Sequence, residues 1–308
     1  MKTLLLLLVI APLVAAAQTN PIELGDVHWL RSMPEALEQS KLKNKPILIL
    51  FQEVPGCGTC RNYGSEVLTH PLIVEAIETE FVPLAIYNNK GGRDAAILKR
   101  YGEPSWNNPV VRIVDENCDN IVSRLSGNYS AAGLTNTMCD ALIAHRGQAT
   151  AYLHLLADEL KALRHGTASA TYSMHCFWVG EALFGKIHGV VKTTAGFQNG
   201  KEVVVVEYDP NSITKVQLDN VALSQHCSIT FRGSFRADST PKYYLSNSKY
   251  RVIPMTEIQK CRVNSALAEG LNPEEFLSPR QLAVVHSGTS VNSVGLSLVD
   301  GWRHVKSR

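Results

Sequence analysis

Ile47-Leu48-Ile49-Leu50-Phe51-Gln52-Glu53-Val54-Pro55-Gly56-Cys57-Gly58-Thr59-Cys60 is the stretch on which the reading of this chain turns. The apolar run Ile47 to Phe51, entered through Lys45-Pro46, suits a strand buried on both faces. A short loop then leads to two cysteines, and Arg61 to Leu68 reads as the opening of a helix. Two thiols separated by two residues, between a buried strand and a helix, suit reversible dithiol chemistry. The first turn of a helix leaves N–H groups unpaired and carries a positive dipole end, and both stabilise a thiolate. Cys57 would attack a partner disulfide, and Cys60 would resolve the mixed disulfide. The same pair could be half of a zinc site, but no second close pair follows, so no metal or other cofactor is expected.

Outward from this motif the chain alternates helix and strand. Glu35 to Leu42 and Pro71 to Thr79 read as helices, Phe81 to Tyr87 and Val110 to Val114 as strands, and Leu134 to Ala144 as an amphipathic helix. The pattern, with Asn108-Pro109 ahead of the third strand, resembles the thioredoxin fold. That resemblance implies a cis peptide at Pro109, beside the dithiol. Gly56 stands where the family has tryptophan, and no proline lies between the cysteines.

Beyond this unit, Gln148 to His165 has a helical period through Tyr152, Leu155, Leu156, Leu160 and Leu163, and Gly166 to Ala170 reads as a linker. A second unit opens near Tyr172. His175-Cys176-Phe177-Trp178 places a thiol before two aromatics and a helix-compatible segment, Glu181 to Phe184. A thiolate there suits attack on a neutral sulfur or carbon centre. A buried core cysteine is the plainer reading from composition alone. Val203 to Tyr208 is a strand ended by Asp209-Pro210, and Ile213 to Leu223 is a helix candidate. The tail Asp300 to Arg308 is polar and reads as frayed.

Four motifs in this second unit, taken in order, resemble the peptide-methionine sulfoxide reductases of the A class. They are Cys176-Phe177-Trp178 with Glu181; Gly189 to Thr193 with Gly196-Phe197; Glu202-Val203-Val204 to Tyr208-Asp209-Pro210; and Asp238 with Tyr243. The resemblance implies that Cys176 attacks a sulfoxide sulfur and that Glu202 supplies the proton. Tyr243 would hydrogen-bond the sulfoxide oxygen, with Asp238 in the same motif, and Phe177 and Trp178 would hold the methyl group. Without the resemblance, Glu202 reads as an exposed strand residue and Tyr243 as a core aromatic. The family segment that carries a second substrate-binding tyrosine is reduced here to Gln198–Lys201, leaving Tyr244 and Tyr172 as candidates to replace it. Cys261 and Cys227 are candidates to resolve Cys176, with Cys261 preferred. Cys118 and Cys139 could form a disulfide or stay as two thiols.

The expected architecture is an α/β thioredoxin-like domain followed by an α+β domain with a ferredoxin-like core. Residues 1–17 read as a signal peptide, 18–146 as the thioredoxin-like domain, 147–170 as a helical linker and 171–308 as the second domain. The leader reading rests on Lys2, the apolar run Leu4 to Leu13 and Ala15-Ala16-Ala17, a pattern more suited to cleavage than to anchoring. It implies export to a periplasmic or extracellular compartment, where disulfides form. A net charge of +2 with 19% charged residues excludes an electrostatic nucleic-acid binder, and 45% hydrophobic residues exclude a disordered chain. Seven cysteines is an odd number, so at least one thiol stays unpaired within a monomer.

The leading expectation is an exported methionine S-sulfoxide reductase carrying its own reductant. Its partners would be oxidised proteins or peptides and an external thiol or membrane electron donor. The alternatives are a secreted thiol–disulfide oxidoreductase whose second unit only binds clients, and a redox-responsive or metal-binding module.

Overall fold

The computed structural model describes residues 20–230, 233–287 and 291–306. The expected leader, residues 1–17, lies outside the described residues. The first unit runs α1 (Met33–Lys43), β1 (Ile47–Gln52), α2 (Gly58–Asn62), α3 (Pro71–Glu80), β2 (Val82–Tyr87), α4 (Arg93–Tyr101), β3 (Val110–Val114), β4 (Leu125–Ser126) and α5 (Ala131–Arg146). β1 is central: it pairs parallel with β2 and antiparallel with β3, in the order β2-β1-β3-β4. Alternate β1 side chains enter different cores. Leu48 and Leu50 join Leu72 and Ile77 of α3 and Leu134 and Leu142 of α5. Ile47, Ile49 and Phe51 join Met33 and Ala36 of α1 and Leu98 of α4. Burial on both faces explains the unbroken apolar run, and each such side chain contributes about 1.5–3 kcal/mol by leaving water.

α2 passes directly into a π-helical turn, Tyr63–Val67, that presses on the segment before α1. A Cβ on Gly64 would overlap the Ile22 carbonyl oxygen and lie 2.6 Å from Glu23 Cα, whereas one on Gly58 meets nothing within 4 Å. Gly64→Ala should therefore cost about 1–3 kcal/mol. Gly58→Ala, between the two cysteines, should change stability by less than about 0.5 kcal/mol. Denaturant titration of the two variants checks the contrast.

The helix expected over Gln148 to His165 forms as α6 (Ala151–His165), but it packs into the first unit instead of linking the two: Tyr152, Leu153, Leu156 and Ala157 are buried in the first unit's core. Gly166 to Ala170 is not a loop throughout, because β5 (Ala168–Ser173) begins inside it and pairs with β7 (Lys201–Tyr208) from Ala168 to Ser173. Its small and hydroxylated residues mimic linker composition, yet Ala170 and Tyr172 alternate into the core.

The second unit continues with α7 (Phe177–Gly185), β6 (Val190–Gln198), β7, α8 (Lys215–Ser224), β8 (Ser228–Thr230), β9 (Phe235–Ala237), α9 (Tyr243–Ser246), α10 (Glu257–Ala268), α11 (Pro279–His286) and α12 (Leu298–Lys306). Its sheet is antiparallel with order β8-β5-β7-β6-β9. Without the edge strand β9, this is the fourth-first-third-second order of a β-α-β-β-α-β unit, a ferredoxin-like core. The expected frayed tail is instead α12: Leu298 is buried in the first unit's core, and Trp302 packs against both units.

Carboxylates of the first unit tie the two units together. Glu75 of α3 accepts from Ser278 Oγ and Arg280 N at 2.7 Å each, at the start of α11. Glu159 of α6 accepts from Ile258 N at 2.7 Å, at the start of α10. Both satisfy helix N–H groups that have no partner within their own helix. No helix among the described residues is long and apolar enough to cross a membrane.

Candidate active sites

Cys57 stands at the N-cap of α2 and Cys60 lies in its first turn, with the two sulfurs 3.7 Å apart. Cys57 is exposed and Cys60 is buried. The Cys60 backbone amide at the Cys57 sulfur draws that thiol below its ordinary range. Burial pushes the Cys60 thiol up to about 11, and the neighbouring Cys57 adds to the rise. The pair is thus polarised into an attacking thiol and one that keeps its proton. The Asn108–Pro109 peptide is cis. Phe51 pairs with Val110, so the register puts Pro109 opposite Gln52, where the chain leaves β1 for the dithiol. Iodoacetamide at pH 7 should label Cys57 at least about tenfold faster than Cys60. Equal labelling in peptide mass spectrometry would remove Cys57 as the attacking thiol.

The support beneath this loop comes from a residue outside every sequence motif. Glu23 is buried; its Oε1 accepts from Gly56 N at 2.9 Å, and its main-chain oxygen accepts from Gln52 Nε2 at 2.7 Å. A Cβ on Gly56 would overlap the Glu53 carbonyl oxygen and lie 2.7 Å from Cys60 Cβ. A tryptophan there would not fit, so the departure at Gly56 belongs to this loop geometry. Glu23 sits in an unremarkable Ile22-Glu23-Leu24 turn and carries no sequence signal.

The second site is built on the first turn of α7. Cys176 is the N-cap and is half-buried. β7 runs beside it: Met174 N donates to the Glu202 carbonyl at 3.1 Å, and Phe177 N donates to the Glu202 carboxylate at 2.9 Å. Asn199 and Gly200, with φ of 53° and 75°, form the two-residue turn of the β6–β7 hairpin, which places Phe197 opposite Glu202. Phe197 packs edge-on against Phe177 with centroids 5.2 Å apart. Trp178 lies 5.4 Å from Phe177, stacks on Tyr243 at 4.0 Å and donates from Nε1 to Asp238 at 3.1 Å. The fold therefore gathers Cys176, Phe177, Trp178, Glu202, Asp238 and Tyr243 around one helix start. An aromatic wall beside a thiol and a carboxyl can hold a small apolar group while a proton is delivered.

The two spare tyrosines are placed differently. Tyr172 is buried, stacked on Phe184 at 4.7 Å, and its hydroxyl donates to Asp219 at 2.9 Å. It belongs to the core. Tyr244 sits edge-on to Tyr243 at 5.5 Å, and burial together with the Cys176 charge raises its phenol above the ordinary range. Tyr244 is the one that faces the site.

Beneath the wall lies an ion pair between residues 61 positions apart in the chain. Glu181 and Lys242 are both buried, with Nζ–Oε1 at 3.1 Å. Glu181 also accepts from Ala195 N at 3.2 Å and from Lys242 N at 3.1 Å, and Lys242 Nζ donates to the Thr193 carbonyl. These bonds join α7, β6 and the residue immediately before Tyr243.

The preference for Cys261 as resolving cysteine does not fit its position. Its sulfur is buried against β6, 3.7 Å from Thr193 Oγ1 and 3.8 Å from the Val191 carbonyl. A Cβ on Gly185, at the far end of α7, would lie 3.4 Å from Cys261 Cβ. The nine residues from Cys176 to Gly185 span about 13 Å of helix, beyond disulfide reach. Cys227 is placed differently: Ser228 pairs with Ser173, so Cys227 adjoins the end of β5 that leads to Cys176. Cys118 and Cys139 lie in the two cores on opposite faces of the first sheet and cannot bridge.

A thioredoxin-like family model matches residues 28–116. A peptide methionine sulfoxide reductase of Drosophila melanogaster is 33% identical over 72 residues, which is 19% of this chain and 29% of that protein. Peptide methionine sulfoxide reductase A5 of Arabidopsis thaliana is 41% identical over 73 residues, 20% of this chain and 29% of that protein. Peptide methionine sulfoxide reductase MsrA of Thermoactinomyces vulgaris is 28% identical over 104 residues, covering 28% of this chain and 85% of that one. The chain thus spans under a third of the length of the first two. Among solved structures, a DsbH oxidoreductase matches at TM-score 0.34 and 19% identity, over 41% of this chain and 90% of that one. A Thermus thermophilus thioredoxin matches at TM-score 0.35 and 18% identity, over 39% and 91%.

Proposed function

We propose that this chain, a thioredoxin-like domain fused to a divergent domain of peptide-methionine (S)-S-oxide reductase type, reduces methionine S-sulfoxide and recycles itself through its own dithiol. The observation that carries this is the meeting of Cys176, the Glu202 carboxyl and the Phe177–Trp178–Tyr243 wall at the start of α7. The wall would take the sulfoxide methyl group, and Tyr243 or Tyr244 would hydrogen-bond the oxygen. The Cys176 thiolate attacks sulfur as Glu202 protonates the departing oxygen, yielding methionine and a sulfenic acid on Cys176. Cys227 then displaces hydroxide, which leaves as water, to give a Cys176–Cys227 disulfide. Cys57 opens that disulfide, Cys60 closes on Cys57, and an external thiol or membrane donor resets the pair. Tethering raises the effective concentration of the dithiol at the oxidised site. The apolar leader supports an exported enzyme acting on oxidised proteins or peptides.

The number of equivalents reduced without added reductant tests this scheme. Fully reduced wild type should convert about two equivalents of peptide methionine sulfoxide, Cys57→Ser about one, and Cys176→Ser none. Two equivalents from Cys57→Ser would remove the dithiol from recycling. In the same assay Cys227→Ser should leave a dimedone-reactive sulfenic acid at Cys176, whereas Cys261→Ser should not. The reverse result would restore Cys261.

A further inference from the structure

In the sequence, Cys57-Gly58-Thr59-Cys60 has no second close cysteine pair to complete a zinc site. The fold supplies a third donor of another kind. Glu53 is the first residue beyond β1, and its carboxylate oxygen, Cys57 Sγ and Cys60 Sγ all lie within 4.8 Å of one another. Burial grades across the group, from buried Cys60 through half-buried Glu53 to exposed Cys57. Dithiol exchange as described above makes no use of Glu53.

The sulfur–sulfur edge has the length a coordination polyhedron needs, and the carboxylate lies close to it. Zinc–thiolate bonds of about 2.3 Å at tetrahedral angles set the two sulfurs about 3.8 Å apart, and a carboxylate oxygen bound at about 2.1 Å sits about 3.6 Å from each sulfur. The observed sulfur–sulfur separation is 3.7 Å. The sulfur edge is therefore already formed, and the carboxylate needs only to close about 1 Å through its own side-chain torsions.

We propose that the reduced dithiol and Glu53 form a three-ligand site for a thiophilic divalent cation, with zinc as the type ion and the fourth position open to solvent. Two thiolates select zinc over magnesium or calcium, which take oxygen donors. Binding one Zn²⁺ forms two Zn–S bonds and one Zn–O bond and releases the protons held by the two thiols to solvent; no electrons move. Without the ion the group is self-repelling, because a carboxylate and two potential thiolates lie within 4.8 Å of one another. A divalent cation reverses that balance. A disulfide offers no thiolate, so the site exists only in the reduced state. While occupied, it withholds Cys57 from exchange, which makes the dithiol subject to metal as well as to oxidant. This inference does not depend on the sulfoxide reaction of the second domain.

The test is zinc titration of the reduced full-length chain under anaerobic conditions, against a chromophoric chelator, with cobalt substitution as the spectroscopic readout. Cys176→Ser/Cys227→Ser serves as the background, silencing the thiols of the second site. One ion per chain is expected, with thiolate-to-cobalt charge-transfer absorption, abolished by Cys57→Ser and by prior oxidation to the disulfide. Glu53→Gln should weaken binding by about tenfold or more. No metal bound beyond the Cys57→Ser control would overturn the site. Equal affinity in Glu53→Gln would overturn the third ligand and leave an ordinary dithiol.

Discussion

Glu202→Gln should lower kcat for methionine sulfoxide by about two to four orders of magnitude while KM changes little. The glutamine oxygen can still accept from Phe177 N, the bond that Glu202 makes at 2.9 Å, so the start of α7 and the aromatic wall keep their places. In the proposed mechanism what is lost is the proton that Glu202 would deliver to the sulfoxide oxygen as the S–O bond breaks, and general acid catalysis of this kind is worth about 10²–10⁴. Glu202→Ala removes the acceptor as well and should add a rise in KM. Steady-state kinetics with dithiothreitol as donor separates the two effects. A Glu202→Gln variant within about tenfold of wild type would move the acid elsewhere.

Lys242→Met should be the most destabilising single change in the second domain, by about 3–5 kcal/mol, because it strands the Glu181 carboxylate in the interior. The double variant Glu181→Leu/Lys242→Met should recover most of that loss, since it removes both charges together. Burial pulls the Lys242 ammonium down, but the fields of Cys261, Glu181 and Glu257 outweigh it, so the group sits above the ordinary lysine range. A raised value in the folded state means that this stabilisation is present in full below about pH 10.4, the unfolded value, and is lost as pH rises through the folded one. The contribution should be flat from pH 6 to 9. Urea titrations of the three variants at several pH values check both the magnitude and the window. A loss under about 1 kcal/mol in Lys242→Met would mean that the pair is not desolvated. Lys242 also has a left-handed backbone, with φ 50° and ψ 66°, immediately before Tyr243. Its loss should therefore lower kcat by displacing the tyrosine that stacks on Trp178.

What could be read from sequence divides along physical lines. The run Ile47 to Phe51 announces a doubly buried strand, because burial on both faces leaves no room for polar residues. The dithiol, Cys176, Glu202, Asp238 and Tyr243 are legible because each sits in a local motif. Gly166 to Ala170 misleads because Ser, Thr and Ala serve loops and strands alike, and only pairing with β7 decides which. The tail at Asp300 looks frayed because its polar face dominates composition, while Leu298 and Trp302, which dock it, are few and spaced. Glu23, Lys242 and Glu53 are invisible for another reason: their partners lie far along the chain or belong to a loop whose path the sequence does not set. The choice of Cys227 over Cys261 likewise depends on a strand register and on the length of α7.

The central claim is that Cys176 is the thiol that takes oxygen from methionine sulfoxide. Turnover of an oxidised-methionine peptide by the full-length chain, with dithiothreitol as sole donor, tests it most directly. Wild type and Cys57→Ser should both turn over, since dithiothreitol replaces the dithiol, and Cys176→Ser should show no reduction. Equal turnover by Cys176→Ser, or none by wild type, would contradict the account.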